Sequence, residues 1–455
     1  MWNNRNSFRG WLLTMTLLGA TWSIVSCGSP TAQVAQPPVN PAVPSPTSAQ
    51  SSQGVLLISI DGFARHYLER YPAPAIQALA AAGSTAQAMQ PAFPTKTFPN
   101  HYSIVTGLYP ANHGIVENNI YDADFDSIFR LNKPEEVKNP RWWLGEPVWV
   151  TAEKQGVKTA TFFYPGSEAP IQGVRPALWQ PYDGDIDNLQ RVRSVLQWLD
   201  LPAAERPAFL TLYFSSVDDA GHAYGPDSPE VAAAIAGVDR AIALLVAGLK
   251  QRGLYGKLDL MLVSDHGMAA VPAQQVIVLD QLFDSSKATL VLWTPEIVSI
   301  FPKPGELEPI YQQLQQQLPA KAKVYKKSEL PARWHYQQSK RIAPLLVIPE
   351  PGWRLMQQAR QQQWLASHSA NAVTGSHGYD NASPEMQAIF IGQGPSFVAG
   401  RTLAPFANIE LYNLMCRILG ITPAANDGDP AWAAAMQAAA SEAAAKTLGP
   451  AAQAE

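Results

Sequence analysis

The chain repeats one hydrophobic pattern: an unbroken apolar run followed by a turn or an acidic residue. Residues 55–60 (Val-Leu-Leu-Ile-Ser-Ile) run into Asp61-Gly62, 159–163 into Pro165-Gly166, 208–214 towards Asp218, and 258–264 into Asp265. Runs without polar alternation suit strands covered on both faces, which is the usual condition of parallel sheets. Helix patterns lie between them. Residues 74–82 are closed by Gly83, and residues 228–252 open on Ser228 as an N-cap, carry Pro229 in the first turn and close on Gly253. This alternation predicts an α/β fold with a mainly parallel central sheet flanked by helices on both faces. Residues 289–350 repeat the grammar on a smaller scale, with strands at 289–293 and 298–301, a helix at 306–318 and a strand at 344–348. They predict a smaller inserted α/β lobe. Acidic residues at the ends of strands stand where open α/β sheets place ligands.

The termini read differently. Arg5 and Arg9 precede an apolar run over 11–25, the order of a secretory signal and too short to favour a spanning helix. Ile24-Val25-Ser26-Cys27 resembles a bacterial lipobox, so residues 1–26 read as a lipoprotein signal peptide and Cys27 as the lipidated, membrane-anchoring residue. An ordinary signal peptide or a short uncleaved anchor is the plainer alternative. Residues 27–53, rich in Pro and Ser, read as a tether, residues 54–429 as the catalytic domain and residues 430–455 as an Ala-rich tail, helical or partly disordered. The expected location is extracytoplasmic, on the periplasmic or cell-surface side of a membrane.

Composition narrows the partners. The 455 residues are 47% hydrophobic, enough for one large core. The net charge of −4 and pI near 6.1 give no general basis for a stable nucleic-acid complex. No protein partner is evident. Of the two cysteines, Cys416 lies in an amphipathic pattern (Ile409, Leu411, Leu414, Met415, Ile418, Leu419), so a disulfide to Cys27 is not expected.

Residues that can carry chemistry lie in separated segments. Thr97 lies in Pro-Thr-Lys-Thr-Phe-Pro-Asn-His, Asp61 ends the first apolar run, and Asp218 and His222 stand in Asp-Asp-Ala-Gly-His. Asp265 and His266 stand in Ser-Asp-His-Gly-Met, and His377 in Gly-Ser-His-Gly-Tyr. A hydroxyl with this many carboxylates and imidazoles reads as a two-metal phosphoryl-transfer site. Two divalent ions about 4 Å apart can hold the attacking and leaving oxygens of an in-line displacement, and zinc accepts mixed oxygen and nitrogen ligands while leaving a position open. Singly, an Asp at a strand end is more often a helix cap and a His beside Gly a surface turn. Thr97 needs metal or a base to become nucleophilic. Pro99 can open a helix continuing through Ser103 and Val105, placing Thr97 at a positively polarised end; a simple N-cap would have the same geometry. His101 and His113 read as structural neighbours, and His66, His335 and His368 have ordinary settings.

These segments resemble the nucleotide pyrophosphatase/phosphodiesterase family of the alkaline phosphatase superfamily. The resemblance rests on residues 94–101, Gly107-Leu108-Tyr109-Pro110, Asp218 through His222 with Gly225-Pro226, Ser264 through Met268, and His377 through Asn381, in family order within residues 54–420. It implies an alkaline phosphatase-like fold and two Zn²⁺ ions. One would be held by Asp218, His222 and His377, the other by Asp61, Asp265, His266 and the Thr97 oxygen. It further implies that Thr97 attacks phosphorus to give a phosphothreonine, that Asn118 helps hold the phosphate, and that a nucleoside 5′-monophosphate is released. Phe98 and Tyr182 match positions that sandwich a base in nucleotide-cleaving members, and Tyr164 matches another pocket aromatic. The expected substrate is a small-molecule nucleotide or other phosphodiester.

Such rings can also receive a quaternary ammonium, and other branches of the family cleave choline or lysophospholipid phosphodiesters. A phosphomonoesterase or phosphonate hydrolase of the same superfamily is a further alternative, against which the sequence shows no evident arginine to clamp a dianionic monoester. A non-catalytic phosphate-binding lipoprotein would bind metal and ligand without forming product.

Overall fold

The computed structural model describes residues 54–448. The expectations for the signal peptide, Cys27 and the tether lie outside the described residues. At the centre is an eight-stranded sheet in the order Arg401–Leu403, Ser84–Ala86, Phe390–Gln393, Asp259–Val263, Val55–Ile60, Phe209–Phe214, Thr159–Phe162 and Leu178–Gln180. The last five strands in that order are parallel, while Phe390–Gln393 runs antiparallel to both neighbours. The strand expected over 159–163 stops at Phe162, because Phe163 takes a φ of 56°.

The apolar runs are continuous because each strand feeds two cores. Val55 and Leu57 pack with Tyr102, Val105, Trp149 and Met415, which belong to the helices Thr97–Thr106, Val148–Lys154 and Glu410–Leu419. Leu56, Ile58 and Ile60 pack on the other face with Ile76, Leu196, Ile235 and Leu245, from the helices Pro74–Ala81, Asn188–Leu199 and Pro229–Gln251. Cys416 is buried and free in the first of these cores. In register, Ile60 pairs with Phe214 and Ser59 with Val263, so the three central strands end at one level.

Residues 288–349 form a separate antiparallel sheet of Ala288–Thr294, Ile297–Pro302, Leu345–Pro349 and Ala322–Lys326, in that order. The helix Leu307–Gln317 packs over it through Ile310 and Leu314, which meet Val298, Ile300 and Val324. Ala322–Lys326 has no counterpart among the apolar runs, because an edge strand there needs to bury only Ala322 and Val324. The Ala-rich stretch forms the helix Pro430–Leu448, which packs on Glu410–Leu419 and buries Ala433 and Met436 in the large core. A nearly uniform run of alanine offers no contrast from which to read the buried face.

The helix that begins at Thr97 is pinned at its flank by His113. His113 Nδ1 accepts the Ile115 N–H at 3.2 Å, while Nε2 lies 2.9 Å from Ser103 Oγ and 3.2 Å from the Pro99 carbonyl. Both nitrogens are therefore used in the neutral form. Full burial drives the His113 pKa down to about 3 from an ordinary 6.5. Below pH 6.5 the unfolded chain takes up a proton that the folded chain refuses, so the stability contributed by neutral His113 is lost as pH falls towards 3. His113→Gln retains an amide donor and removes the titration. Urea unfolding at pH 7 and pH 5 should show a smaller acid-induced loss in the variant than in the wild type, by up to about 2 kcal/mol. Equal losses would assign the proton uptake to other groups.

Candidate active site

Asp61, Asp218, Asp265, His222, His266 and His377 meet at the carboxyl ends of the central strands. Asp61 follows Val55–Ile60 directly, and Gly62 turns the chain with a φ of 67° at a point where a Cβ would lie 2.9 Å from Asp218 Oδ1. Asp218 and His222 occupy one turn of the helix Ser216–Tyr224, with His222 Nε2 3.4 Å from Asp218 Oδ2. Asp265 and His266 leave Asp259–Val263 in irregular backbone, and their side chains approach to 2.8 Å. His377 comes from outside the sheet. The antiparallel ribbon of Ala269–Pro272 with Val373–Ser376 pairs Ala269 with Ser376, which stacks the His377 ring on that of His266 at 3.5 Å between centroids. Thr97 is the first residue of its helix and Lys96 the N-cap, so the Thr97 hydroxyl does not cap; its Oγ1 faces His266 Nε2 at 3.3 Å.

The three histidines are oriented alike. Their Nδ1 atoms lie at hydrogen-bond distance from backbone carbonyls, His222 from Gly375 at 3.1 Å, His266 from Gly267 at 2.9 Å and His377 from Thr95 at 2.8 Å. A carbonyl can only accept, so Nδ1 carries a proton in each ring, and wherever a ring is neutral its Nε2 lone pair turns inward. His222 Nε2 and His377 Nε2 then face each other at 3.0 Å, a repulsive contact unless a cation is shared between them. Asp61 Oδ1 and Asp218 Oδ1 are buried without a hydrogen-bond partner, and Asp265 Oδ2 faces only the His266 and His101 rings, at 2.8 and 3.3 Å. The donor atoms of Asp218, His222 and His377 lie within 4.8 Å of one another, as do those of Asp61, Asp218 and His266, and those of Asp61, His101 and Asp265. Orphaned carboxylate oxygens among inward imidazole nitrogens fit divalent metal.

The electrostatics point the same way. Burial, then the charges of Asp265 and Asp218, push the Asp61 carboxyl well above its usual range. Burial likewise raises Asp218 against the pull of His222 and His266. For Asp265 burial also acts upward, but His266 and His101 beside it win and hold it well below the usual range. His266 is the converse: burial disfavours its proton and Asp265 more than restores it. Burial, with His266 and His222 adding to it, drives His377 well down. Clustered carboxylates obstruct one another's ionisation, and bound cations would reverse that logic.

Three residues outside the sequence-identified set support the cluster. Tyr213 donates its hydroxyl to Asp61 Oδ2 at 2.5 Å, and its place in an apolar strand with Phe209 and Phe214 gave no signal of that role. His101, read as a structural neighbour, places Nδ1 2.9 Å from the Thr97 carbonyl and 3.3 Å from Asp265 Oδ2, while Nε2 meets Ser59 Oγ at 2.7 Å. Glu296 reaches Lys96 and Ser376 from the smaller lobe.

Two clefts open from the cluster. One of about 400 Å³ is lined by Thr97, Phe98, Tyr164, Tyr182, Tyr213 and Asp218, among others. Tyr164 forms its wall, nearly buried with its hydroxyl on the His101 carbonyl at 3.1 Å, whereas Tyr182 stands 55% exposed at the rim. The Phe98 N–H donates to Asn118 Oδ1 at 3.1 Å. That contact fixes the amide, leaving the Asn118 Nδ2 donors without a protein partner among the described residues. The other cleft, about 970 Å³, is lined by Lys96, Asn118, His222, Arg354 and His377, among others.

Comparison with known proteins yields consistent likenesses. The family model for type I phosphodiesterase/nucleotide pyrophosphatase matches residues 55–380. Human ectonucleotide pyrophosphatase/phosphodiesterase family member 1 is 41% identical over 385 residues, covering 82% of this chain and 40% of the relative. A venom phosphodiesterase of Macrovipera lebetinus is 41% identical over 387 residues, covering 82% of this chain and 44% of the relative. The chain thus spans less than half the length of these curated relatives. Among solved structures, murine ectonucleotide pyrophosphatase/phosphodiesterase 5 superposes with a TM-score of 0.76 at 33% identity, covering 83% of this chain and 97% of that one. Its inactive variant in complex with AMP gives 0.77 at 32% identity, covering 85% and 99%.

Asp61→Asn removes one of the crowded charges while keeping an acceptor for Tyr213. In thermal or urea unfolding near pH 8 it should stabilise the chelator-treated protein and destabilise the zinc-loaded protein, by roughly 1–3 kcal/mol in each case. The same sign in both conditions would mean that Asp61 does not face a bound cation.

Proposed function

This chain belongs to the type I phosphodiesterase/nucleotide pyrophosphatase family, and from that premise we propose that it hydrolyses nucleotide phosphodiester or pyrophosphate bonds through a covalent intermediate on Thr97, releasing a nucleoside 5′-monophosphate. The observation that carries this reading is the uncapped Thr97 hydroxyl, 3.3 Å from His266 Nε2 at the mouth of an aromatic cleft. Asp218, His222 and His377 would hold one zinc ion, and Asp61, Asp265, His266 and the Thr97 oxygen a second. When bound, the ions supply Lewis acidity that favours the Thr97 alkoxide and neutralises charge on the phosphate oxygens.

The chain's own groups do the rest. Thr97 Oγ1 forms a bond to phosphorus as the bond to the leaving oxygen breaks, and water then cleaves the phosphothreonine. Asn118 Nδ2 donates to a phosphate oxygen, its orientation set by the Phe98 N–H. Tyr213 orients Asp61, and His101 holds the Thr97 backbone. Phe98 and Tyr182 take the two faces of a base, an arrangement tolerant of base identity, with Tyr164 as the wall between. The AMP complex of the murine relative supports a nucleotide here. The ecto-enzyme naming of the relatives accords with an exported location, and we read Cys27 as the lipid attachment point.

Thr97→Ala should lower kcat at least about a thousandfold while leaving melting temperature near that of the wild type. Near-normal turnover in that variant would refute the covalent route. Tested on thymidine 5′-monophosphate p-nitrophenyl ester, bis-p-nitrophenyl phosphate, p-nitrophenylphosphorylcholine and p-nitrophenyl phosphate, the enzyme should prefer the nucleotide ester. Tyr182→Ala should raise KM for that ester roughly 5- to 100-fold. Preference for the monoester or the choline ester would keep the metal site and overturn the substrate.

A further inference from the structure

Among the site residues, Thr97, Asn118 and His377 follow buried polar residues that lie close together: Lys96, Glu117 and Ser376. Lys96 and Ser376 are held by one side chain. Glu296 occupies the turn between Ala288–Thr294 and Ile297–Pro302 of the smaller lobe and is only 2% exposed. Its Oε2 accepts from Lys96 Nζ and its Oε1 from the Ser376 hydroxyl. Glu117 lies within electrostatic reach of the same pair.

The group forms part of the wall of the larger cleft. Gly378, with a φ of 118°, packs on the Lys96 stem, and an added Cβ would collide with Lys96 Cε. Burial favours the neutral form of Glu296, but the adjacent Lys96 ammonium and the Ser376 hydroxyl outweigh it and hold the carboxyl below its ordinary range. Removing both charges from water costs free energy that an apolar pair of similar volume would not. Gain in stability is therefore a weak account of the arrangement. Its geometric effect is direct: one carboxylate fixes the residue beside the nucleophile to the residue beside His377, from an anchor in a different sheet.

We propose that Glu296 is a positioning residue, holding Thr97 and His377 in register through Lys96 and Ser376, so that the smaller lobe is part of the catalytic apparatus. The proposal rests on the phosphodiesterase reading of the site. Both carboxylate oxygens are engaged within the protein, so Glu296 acts through its neighbours.

Glu296→Gln and the double variant Lys96→Met/Glu296→Gln test it through three measurements: melting temperature, kinetics on thymidine 5′-monophosphate p-nitrophenyl ester, and zinc retention against graded chelator. Glu296→Gln should lose roughly 10- to 100-fold in kcat with KM within about threefold, and should release zinc at about tenfold lower chelator. The double variant, freed of the buried unpaired ammonium, should recover the melting temperature but neither kcat nor zinc retention. Recovery of all three, or wild-type kcat and retention in Glu296→Gln, would reduce the group to a structural ion pair. If Glu296→Gln does not fold, Ser376→Ala cuts the same link on the His377 side. It should weaken zinc retention by a similar factor, and unchanged retention would overturn the proposal. A wild-type protein inactive on every diester would remove the phosphodiesterase reading alone, with zinc retention in the variants still deciding the role of Glu296.

Discussion

Three carboxylates and three imidazoles crowd into one volume at the mouth of two clefts, and the placement of the rest of the chain follows from keeping them there. Like charges at such range, without counter-ions, would either take up protons or push the segments apart. The fold resists this by tying each imidazole to the main chain. Gly375, Gly267 and Thr95 supply the three carbonyls, so each ring direction is set by backbone rather than by a movable side chain. The Thr95 carbonyl that orients His377 lies two residues before Thr97, so the Thr97 loop and the His377 ring share one support. Metal affinity and folding are consequently linked, because separated segments that repel alone are drawn together by a cation.

In the proposed function, chemistry and recognition would occupy different mechanical settings. Asp61, Asp265, His266 and Thr95 are essentially buried within a sheet edge packed from both faces. Tyr182 stands half in solvent, touching Phe163 edge-on at 5.1 Å. A substitution at the rim can change Tyr182 without disturbing the buried cluster. One at Gly62, whose Cβ would meet Asp218, could not.

The parts legible from sequence are those whose physics is local. A continuous apolar run ending in a carboxylate marks a buried strand and the edge at which ligands gather, which made Asp61, Asp218 and Asp265 visible. The four-residue spacing of Asp218 and His222 is one helical turn. His377 depends on a strand pairing across about a hundred residues of sequence, for which no periodicity speaks, and only its motif pointed to it. Tyr213 counts as apolar in any hydrophobic pattern, and its hydroxyl contact with Asp61 exists only in three dimensions. Glu296 in Thr-Pro-Glu reads as an ordinary solvated turn, and the partners that bury it lie far away in the chain. His101, one helical turn beyond Thr97, was close enough to notice, but its contact with Asp265 was not deducible from spacing.

The cluster draws on chain from Asp61 to His377, and its last member is seated by a ribbon whose two strands are separated by the whole smaller lobe. A polypeptide still being made, or passing unfolded through a narrow conduit, carries the Thr97 hydroxyl long before it carries the ring that stacks on His266. No shorter piece contains a working fraction of the site. Assembly of the cluster is thereby tied to topology: it waits on His377, the last of its members in chain order.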